Sequence, residues 1–291
     1  MSVRFPKVRG FSRRVLLYCR TTPWGEPTAG GPPYAEPVSQ EKGRDVTHNL
    51  RADTITMSGH EGDEIEAYLA VPTDVETCGS IVVIHHLPGY DEATKEIARK
   101  FAANGFAALM PNLYHREAPG AEPDDAAALA RSQGGVPDER LVGDVAGAMA
   151  TLKALPISNG KVASIGYCSG GRQSLLAGCR LPLDAVIDCY GAFTVVDSPA
   201  ESPLRATAIV GEVGGLTGPV LGLFGADDQY PSPEQNETLA SALREAGKEF
   251  DFRTYEGAGH AFFNTDRPSF RPESAVEAWA VIFDFLRRTV G

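Results

Sequence analysis

No uninterrupted apolar stretch of about 18 residues occurs anywhere in the chain, so no transmembrane helix is predicted. Cysteine is scarce. The five occur at 19, 78, 168, 179 and 189 with no CxxC pair, which excludes a disulfide framework and a zinc site. Free thiols of this kind belong in a reducing compartment, read here as the cytoplasm. There is no internal repeat. Basic charge is also short: the formal net charge is −11. The first twenty residues carry Arg4, Lys7, Arg9, Arg13, Arg14 and Arg20 and no acid, so the rest of the chain is more acidic still. Such a body repels phosphates, which excludes nucleic acid and anionic membranes as partners. A small molecule remains, taken up by a monomer or a small homo-oligomer.

The pair Arg13-Arg14 precedes an apolar piece that runs only from Val15 to Cys19 before Arg20 ends it. An export signal needs about 7–15 apolar residues, so a basic leader is expected instead. Residues 21–50 are rich in Pro, Gly, Glu and Thr and show no periodicity. The expected organisation is a disordered extension over 1–50 and one folded domain over 51–291.

Within that domain, strand and helix patterns alternate. "DTITM" and "EIEAYLAV" predict a hairpin. "SIVVIHH" (80–86) reads as a buried strand and 91–105 as an amphipathic helix with Ile97, Phe101 and Ala102 on one face. A strand over 106–114 follows, then a helix over 138–155 with Asp138 as its cap. "KVASIGYC" is a strand and "SGGRQSLLAGC" a helix. Strands over 184–191 and 219–225, a helix capped by Ser232, a strand over 250–257 and a last helix complete the series. The fold class is therefore α/β: a mostly parallel sheet with helices on both faces. Sites in such sheets lie at the carboxyl ends of the strands.

One strand ends in Gly166-Tyr167-Cys168-Ser169-Gly170. This fits the G-x-S-x-G elbow with cysteine in the serine's place. Larger residues at 166 or 170 would collide with the flanking strand and helix. A helix N-terminus beside the sulfur favours a thiolate. A buried, inert cysteine is the commonplace alternative. The partners the elbow needs are an acid and then a histidine, both after the nucleophile. Asp228 follows one strand, with Asp227 as the neighbouring choice, and His260 follows the last strand in a Gly-rich loop. The expected catalytic set is Cys168, Asp228 and His260, with His260 as general base and Asp228 orienting it. The oxyanion hole is expected from the backbone N–H groups of Ser169 and Leu87. Of His85 and His86, adjacent residues pointing to opposite faces, one is expected to pack inside and the other to line the pocket. No metal site is expected from them. Tyr90 is a second pocket candidate, and 192–218 is expected to cap the pocket.

The elbow "GYCSGG", together with "GADDQYP", "GAGHAF" and "GFAALMPNLYHRE", resembles the dienelactone hydrolase family of α/β-hydrolases over about residues 55–290. The resemblance implies cofactor-free hydrolysis of an ester or lactone through a transient thioester on cysteine. It also implies a glutamate after the oxyanion strand, where this chain has His86, and arginines for a substrate carboxylate. At one of those positions stands Asn264; for the other, Arg131 is the candidate. These departures point from dienelactone toward another ester, lactone or thioester, with His86, Tyr90 and Arg131 as the substrate-binding candidates. A thioesterase on the same site, a thiol redox sensor using Cys168, and a non-catalytic binding protein are the competing readings.

Overall fold

In the computed structural model, which describes residues 47–86 and 89–291, the period-two and period-3.6 patterns become eight strands and six α-helices among the described residues. The extension predicted over 1–50 lies outside the described residues for all but its last four positions. In chain order the elements are β1 (Leu50–Ser58), β2 (Glu64–Pro72), β3 (Cys78–Ile84), α1 (Glu92–Ala103), β4 (Ala107–Pro111), α2 (Pro123–Ser132) and α3 (Asp138–Lys153). Then come β5 (Ser158–Tyr167), α4 (Ser169–Arg180), β6 (Ala185–Cys189), β7 (Val220–Gly225), α5 (Pro233–Glu245), β8 (Phe250–Tyr255) and α6 (Pro272–Thr289). The sheet order is β1-β2-β4-β3-β5-β6-β7-β8. The predicted hairpin is β1–β2, antiparallel, and β2 pairs antiparallel with β4. From β4 to β8 every pairing is parallel.

Alternation within buried strands sorts side chains to two cores. In β3, Ile81 and Val83 face α1 and α6, while Val82 and Ile84 face the side covered by α2 to α5. All four are fully buried, each contributing about 1.5–3 kcal/mol by its removal from water. Phe101 and Ala102 bury the face of α1 as the spacing predicts. Ser232 caps α5 and accepts from the Gln235 N–H, while the Gln235 side chain returns to the Ser232 N–H. This reciprocal arrangement satisfies two otherwise unpaired donors.

Three elements differ from the sequence reading. The strand predicted over 106–114 stops at Pro111, where Asn112 Oδ1 accepts the Tyr114 N–H at 3.1 Å and turns the chain. Helix α2 was not anticipated: its buried side is three alanines, Ala126, Ala127 and Ala130, which give little hydrophobic contrast. Pro123 at its start and the acidic Asp124 and Asp125 in its first turn suit a helix N-terminus. Asp138 does not cap α3. Pro137 occupies the cap position without a side-chain bond, because the Asp138 carboxylate is taken by Arg172 of α4.

Candidate active site

The turn from β5 into α4 is tight because two glycines allow it. A Cβ on Gly166 would run into the Gly170 carbonyl, and one on Gly170 would lie 2.6 Å from the Ile84 carbonyl oxygen and 2.9 Å from that of His85. Cys168 between them is held at φ 58°, ψ −123°, a conformation that costs a non-glycine residue on the order of 1–3 kcal/mol. Its N–H donates to the Cys189 carbonyl at 3.0 Å and its carbonyl accepts from Gly171 at 2.9 Å. Ser169 opens α4, so its N–H is one of the donors that a helix start leaves without an intrahelical partner. The other non-glycine residues at positive φ among the described ones include Tyr190, Phe193 and Ala261. Strain therefore gathers at the strand ends around the thiol.

His260 follows β8, and its Nδ1 donates to Asp228 Oδ2 at 2.9 Å. Asp228 is buried, and its second oxygen accepts the Tyr230 N–H at 2.9 Å. The neighbouring Asp227 is exposed. Burial of the His260 ring opposes protonation, but hydrogen bonds with Asp228 and Cys168, and their negative charges, push its pKa up to about 10. With Nδ1 committed to Asp228, Nε2 is the nitrogen left to exchange a proton with the sulfur. The Tyr190 ring stands edge-on to the imidazole at 5.2 Å between centroids.

The two histidines after β3 take different places. His85 is buried, and burial drives its pKa down to about 4. Its Nε2 accepts the Leu113 N–H at 3.1 Å, so Nδ1 carries the proton and donates to the His86 carbonyl at 3.1 Å. His86 Nε2 instead lies 3.5 Å from Asp91 Oδ2. Burial would raise the Asp91 carboxyl, yet hydrogen bonds from His86 and Thr94 bring it down to about 2. Asp91 also caps α1 through the Thr94 N–H at 2.7 Å. Leu87 and Pro88, the expected oxyanion loop, lie outside the described residues. No group of three or more metal-binding side chains occurs among the described residues.

Two hollows open beside this arrangement. The smaller, about 80 Å³, is lined by Cys168 and Ser169 with Tyr114, Arg172 and Phe193, and by Leu204 of the segment between β6 and β7. The larger, about 240 Å³, is walled by His86, Tyr167, Tyr190, Phe263 and Trp279, with Ile97 of α1 facing them. Of the remaining sequence candidates, Tyr90 is buried under Lys95, whose ammonium lies 4.7 Å from its ring centre, and lines neither hollow. Arg131 is exposed on the last turn of α2 and also lines neither. Asn264 lines the larger hollow. Sequence reasoning missed Tyr167, Tyr190, Phe263 and Trp279. Tyr167 ends one buried strand and Tyr190 directly follows another, positions that would have flagged them; Trp279 carries no local signal.

A mostly parallel sheet, a strained strand-to-helix elbow and an acid–histidine pair at the next strand ends define an α/β-hydrolase. The model of the dienelactone hydrolase family matches residues 65–290. A Methylorubrum extorquens protein named "Putative carboxymethylenebutenolidase" is 32% identical over 233 residues, 77% of each chain. An Escherichia coli protein of the same name is 30% identical over 237 residues, 79% of this chain and 85% of that one. Among solved structures, a dienelactone hydrolase of the same provisional kind from Klebsiella pneumoniae superposes with a TM-score of 0.70 at 26% identity, covering 81% of this chain and 98% of its own. A dienelactone hydrolase-like promiscuous phosphotriesterase from metagenomic libraries has a TM-score of 0.68 at 21% identity, over 83% and 99% of the two chains, a likeness of fold. The chain belongs to the dienelactone hydrolase family and is a hydrolase acting on an ester or lactone.

Proposed function

We propose that this hydrolase works through a Cys168–His260–Asp228 triad and an acyl-thioester intermediate, without a cofactor. The observation that carries the reading is the 2.9 Å bond from His260 Nδ1 to buried Asp228, with the Cys168 sulfur near enough to the same imidazole to help raise its pKa. His260 takes the thiol proton, and the sulfur attacks the carbonyl carbon. The developing oxyanion is met by the Ser169 N–H at the start of α4 and, on the sequence expectation, by the Leu87 N–H. As the tetrahedral adduct collapses, the carbon–oxygen bond breaks and the imidazolium gives its proton to the leaving oxygen. Water, deprotonated by His260, then attacks the thioester carbonyl. The thiolate leaves, and the carboxylic acid departs. Asp228 holds the imidazole tautomer and balances its charge throughout.

The relatives' name points to a lactone bearing a carboxylate. His86 and Asn264 support a different, uncharged ester or lactone. The Asp91 partnership occupies His86, and an amide at 264 has no charge to offer a carboxylate. The redox reading has less support. Cys78, Cys179 and Cys189 are buried, and burial raises all three thiols, Cys179 to about 12. We place the enzyme in the cytoplasm, where thiols stay reduced, with 51–291 as the catalytic domain. Among the described residues, no helix is long and apolar enough to cross a membrane.

The deciding experiment is a panel of esters, lactones and thioesters given to the wild type and to Cys168→Ala. Turnover is expected to vanish in the variant. A mass increase equal to the acyl group, on the peptide bearing Cys168, is expected in rapidly quenched wild type. Full turnover by Cys168→Ala would overturn the reading.

A further inference from the structure

We infer that the larger hollow holds the leaving alcohol, and that the preferred substrates are esters of uncharged, hydrophobic alcohols with a small acyl group. The inference rests on the triad reading and adds to it the side on which each half of the ester lies. His260 must hand its proton to the leaving oxygen, so the alcohol lies on the His260 side of the thiol. The larger hollow is built from that side. Tyr190, packed edge-on to His260, lines it, and so does Phe263 from the same loop, three residues after His260. The smaller hollow is lined by Cys168 and by Ser169, whose N–H the triad reading assigns to the oxyanion. That side is left to the acyl group, and about 80 Å³ admits only a short one.

Size and chemistry agree. An apolar cavity of about 150 Å³ takes up benzene, and this one is about 240 Å³. A ring with a short tether, or an alkyl chain of roughly six to eight carbons, fits by that comparison. Tyr167, Tyr190, Phe263 and Trp279 supply aromatic faces, and Phe263 and Trp279 meet edge to face at 5.5 Å. Two charged groups stand at its border. The Lys100 ammonium lies over the Trp279 ring at 4.4 Å, and burial lowers its pKa. His86 faces Asp91 at 3.5 Å. A carboxylate on the alcohol would lose its hydration against these aromatic walls, with the Trp279-bound Lys100 ammonium at the border to offset that loss. Tyr167 has a buried hydroxyl with no hydrogen-bond partner among the described residues. One polar atom on an apolar wall is the usual means of orienting a ligand in such a pocket.

The test compares alcohols of similar acidity. Methyl, hexyl and 2-phenylethyl acetates vary the alcohol; methyl acetate, hexanoate and phenylpropanoate vary the acyl group. The wild type is expected to favour 2-phenylethyl over methyl acetate by at least about tenfold in kcat/KM, the scale of hydrophobic pocket discrimination, and to gain nothing from the longer acyl groups. Ile97 is half-buried, so Ile97→Trp narrows the hollow without entering the deep core. It should erase the preference for the large alcohol, read as the ratio of kcat/KM for 2-phenylethyl acetate to that for methyl acetate. Val276, exposed at the rim, allows Val276→Phe as a second narrowing variant should the first fold poorly. The rate of Cys168 alkylation by iodoacetamide reports whether the thiol itself is intact in each. Loss confined to the acyl series would reverse the two hollows and overturn the inference. So would equal effects on both series, or none, with Cys168→Ala inactive, and in these outcomes the triad reading survives. Wild-type turnover by Cys168→Ala would remove the triad on which the inference rests.

Discussion

Arg172 grips Asp138 with both prongs of its guanidinium, Nη1 to Oδ1 and Nη2 to Oδ2, each at 2.8 Å. The Thr207 carbonyl accepts from Nη2 as well, at 2.8 Å. The pair thus ties the first turn of the elbow helix α4 to the start of α3 and to the segment between β6 and β7. The two partners are unequally buried: the side chain of Arg172 is 5% exposed and that of Asp138 28%. Removing the carboxylate strands a buried cation, a loss of about 3–5 kcal/mol. Removing the guanidinium leaves a carboxylate that water can reach. Asp138→Ala is therefore expected to destabilise more than Arg172→Leu in urea unfolding. Equal losses would mean that Thr207 alone satisfies the guanidinium.

Asp228→Asn is expected to lower kcat by about 10²–10⁴-fold, the range for a disabled general base, with the fold retained. The amide can donate to His260 Nδ1 and so favours the wrong tautomer. Exposed Asp227→Asn should change kcat little. Steady-state kinetics on both variants would expose an error in this assignment if their effects were exchanged.

The His260 pKa, raised from 6.5 to about 10, sets two pH expectations. A group whose folded pKa lies above its unfolded one stabilises the fold fully below the unfolded value and loses that contribution as pH rises through the folded one. The stability margin of wild type over Asp228→Asn should accordingly shrink between about pH 6.5 and 10. The alkaline limb of kcat/KM should fall near pH 10, where the imidazolium needed to protonate the leaving group is lost. In Asp228→Asn that limb should move toward neutrality, since Asp228 is a principal cause of the shift. A limb near pH 6.5 in the wild type would count against the charged pair.

Gly170→Ala would bring a methyl group against the carbonyls of Ile84 and His85. Helix α4 must move to admit it, a strain on the order of 1–3 kcal/mol, and the move displaces the thiol. Activity is expected to fall by more than the folded fraction does, as measured by comparing calorimetry with turnover. A fully active, less stable protein would mean that the elbow relaxes elsewhere.

Among the cysteines in the described residues, Cys168 is expected to be alkylated first by iodoacetamide near neutral pH. It is half-buried beside His260, whereas Cys78, Cys179 and Cys189 are enclosed. Peptide mapping with Cys78 or Cys179 labelled as fast as Cys168 would contradict this.

Much of this protein could be read along the chain because the physics concerned is local. Strand runs such as "SIVVI", the Ser232 cap and the glycines around Cys168 declare themselves within a few residues. So do the strand-end places of Asp228 and His260, since chain order and sheet geometry together put them near the thiol. Local signals failed where the partner lies far off. Asp138 looks like a cap until Arg172, 34 residues later, takes its carboxylate, and an alanine-faced helix such as α2 shows no contrast to detect. The elbow cysteine, its candidate acid and histidine, and the hydrolase family were thus legible in the sequence itself. Which aromatic side chains enclose the space beside His260 was decided only by the tertiary structure. Residues from α1, from the ends of β5 and β6 and from α6 are brought together there by the packing of helices on a twisted sheet, a long-range arrangement that no short stretch of sequence encodes.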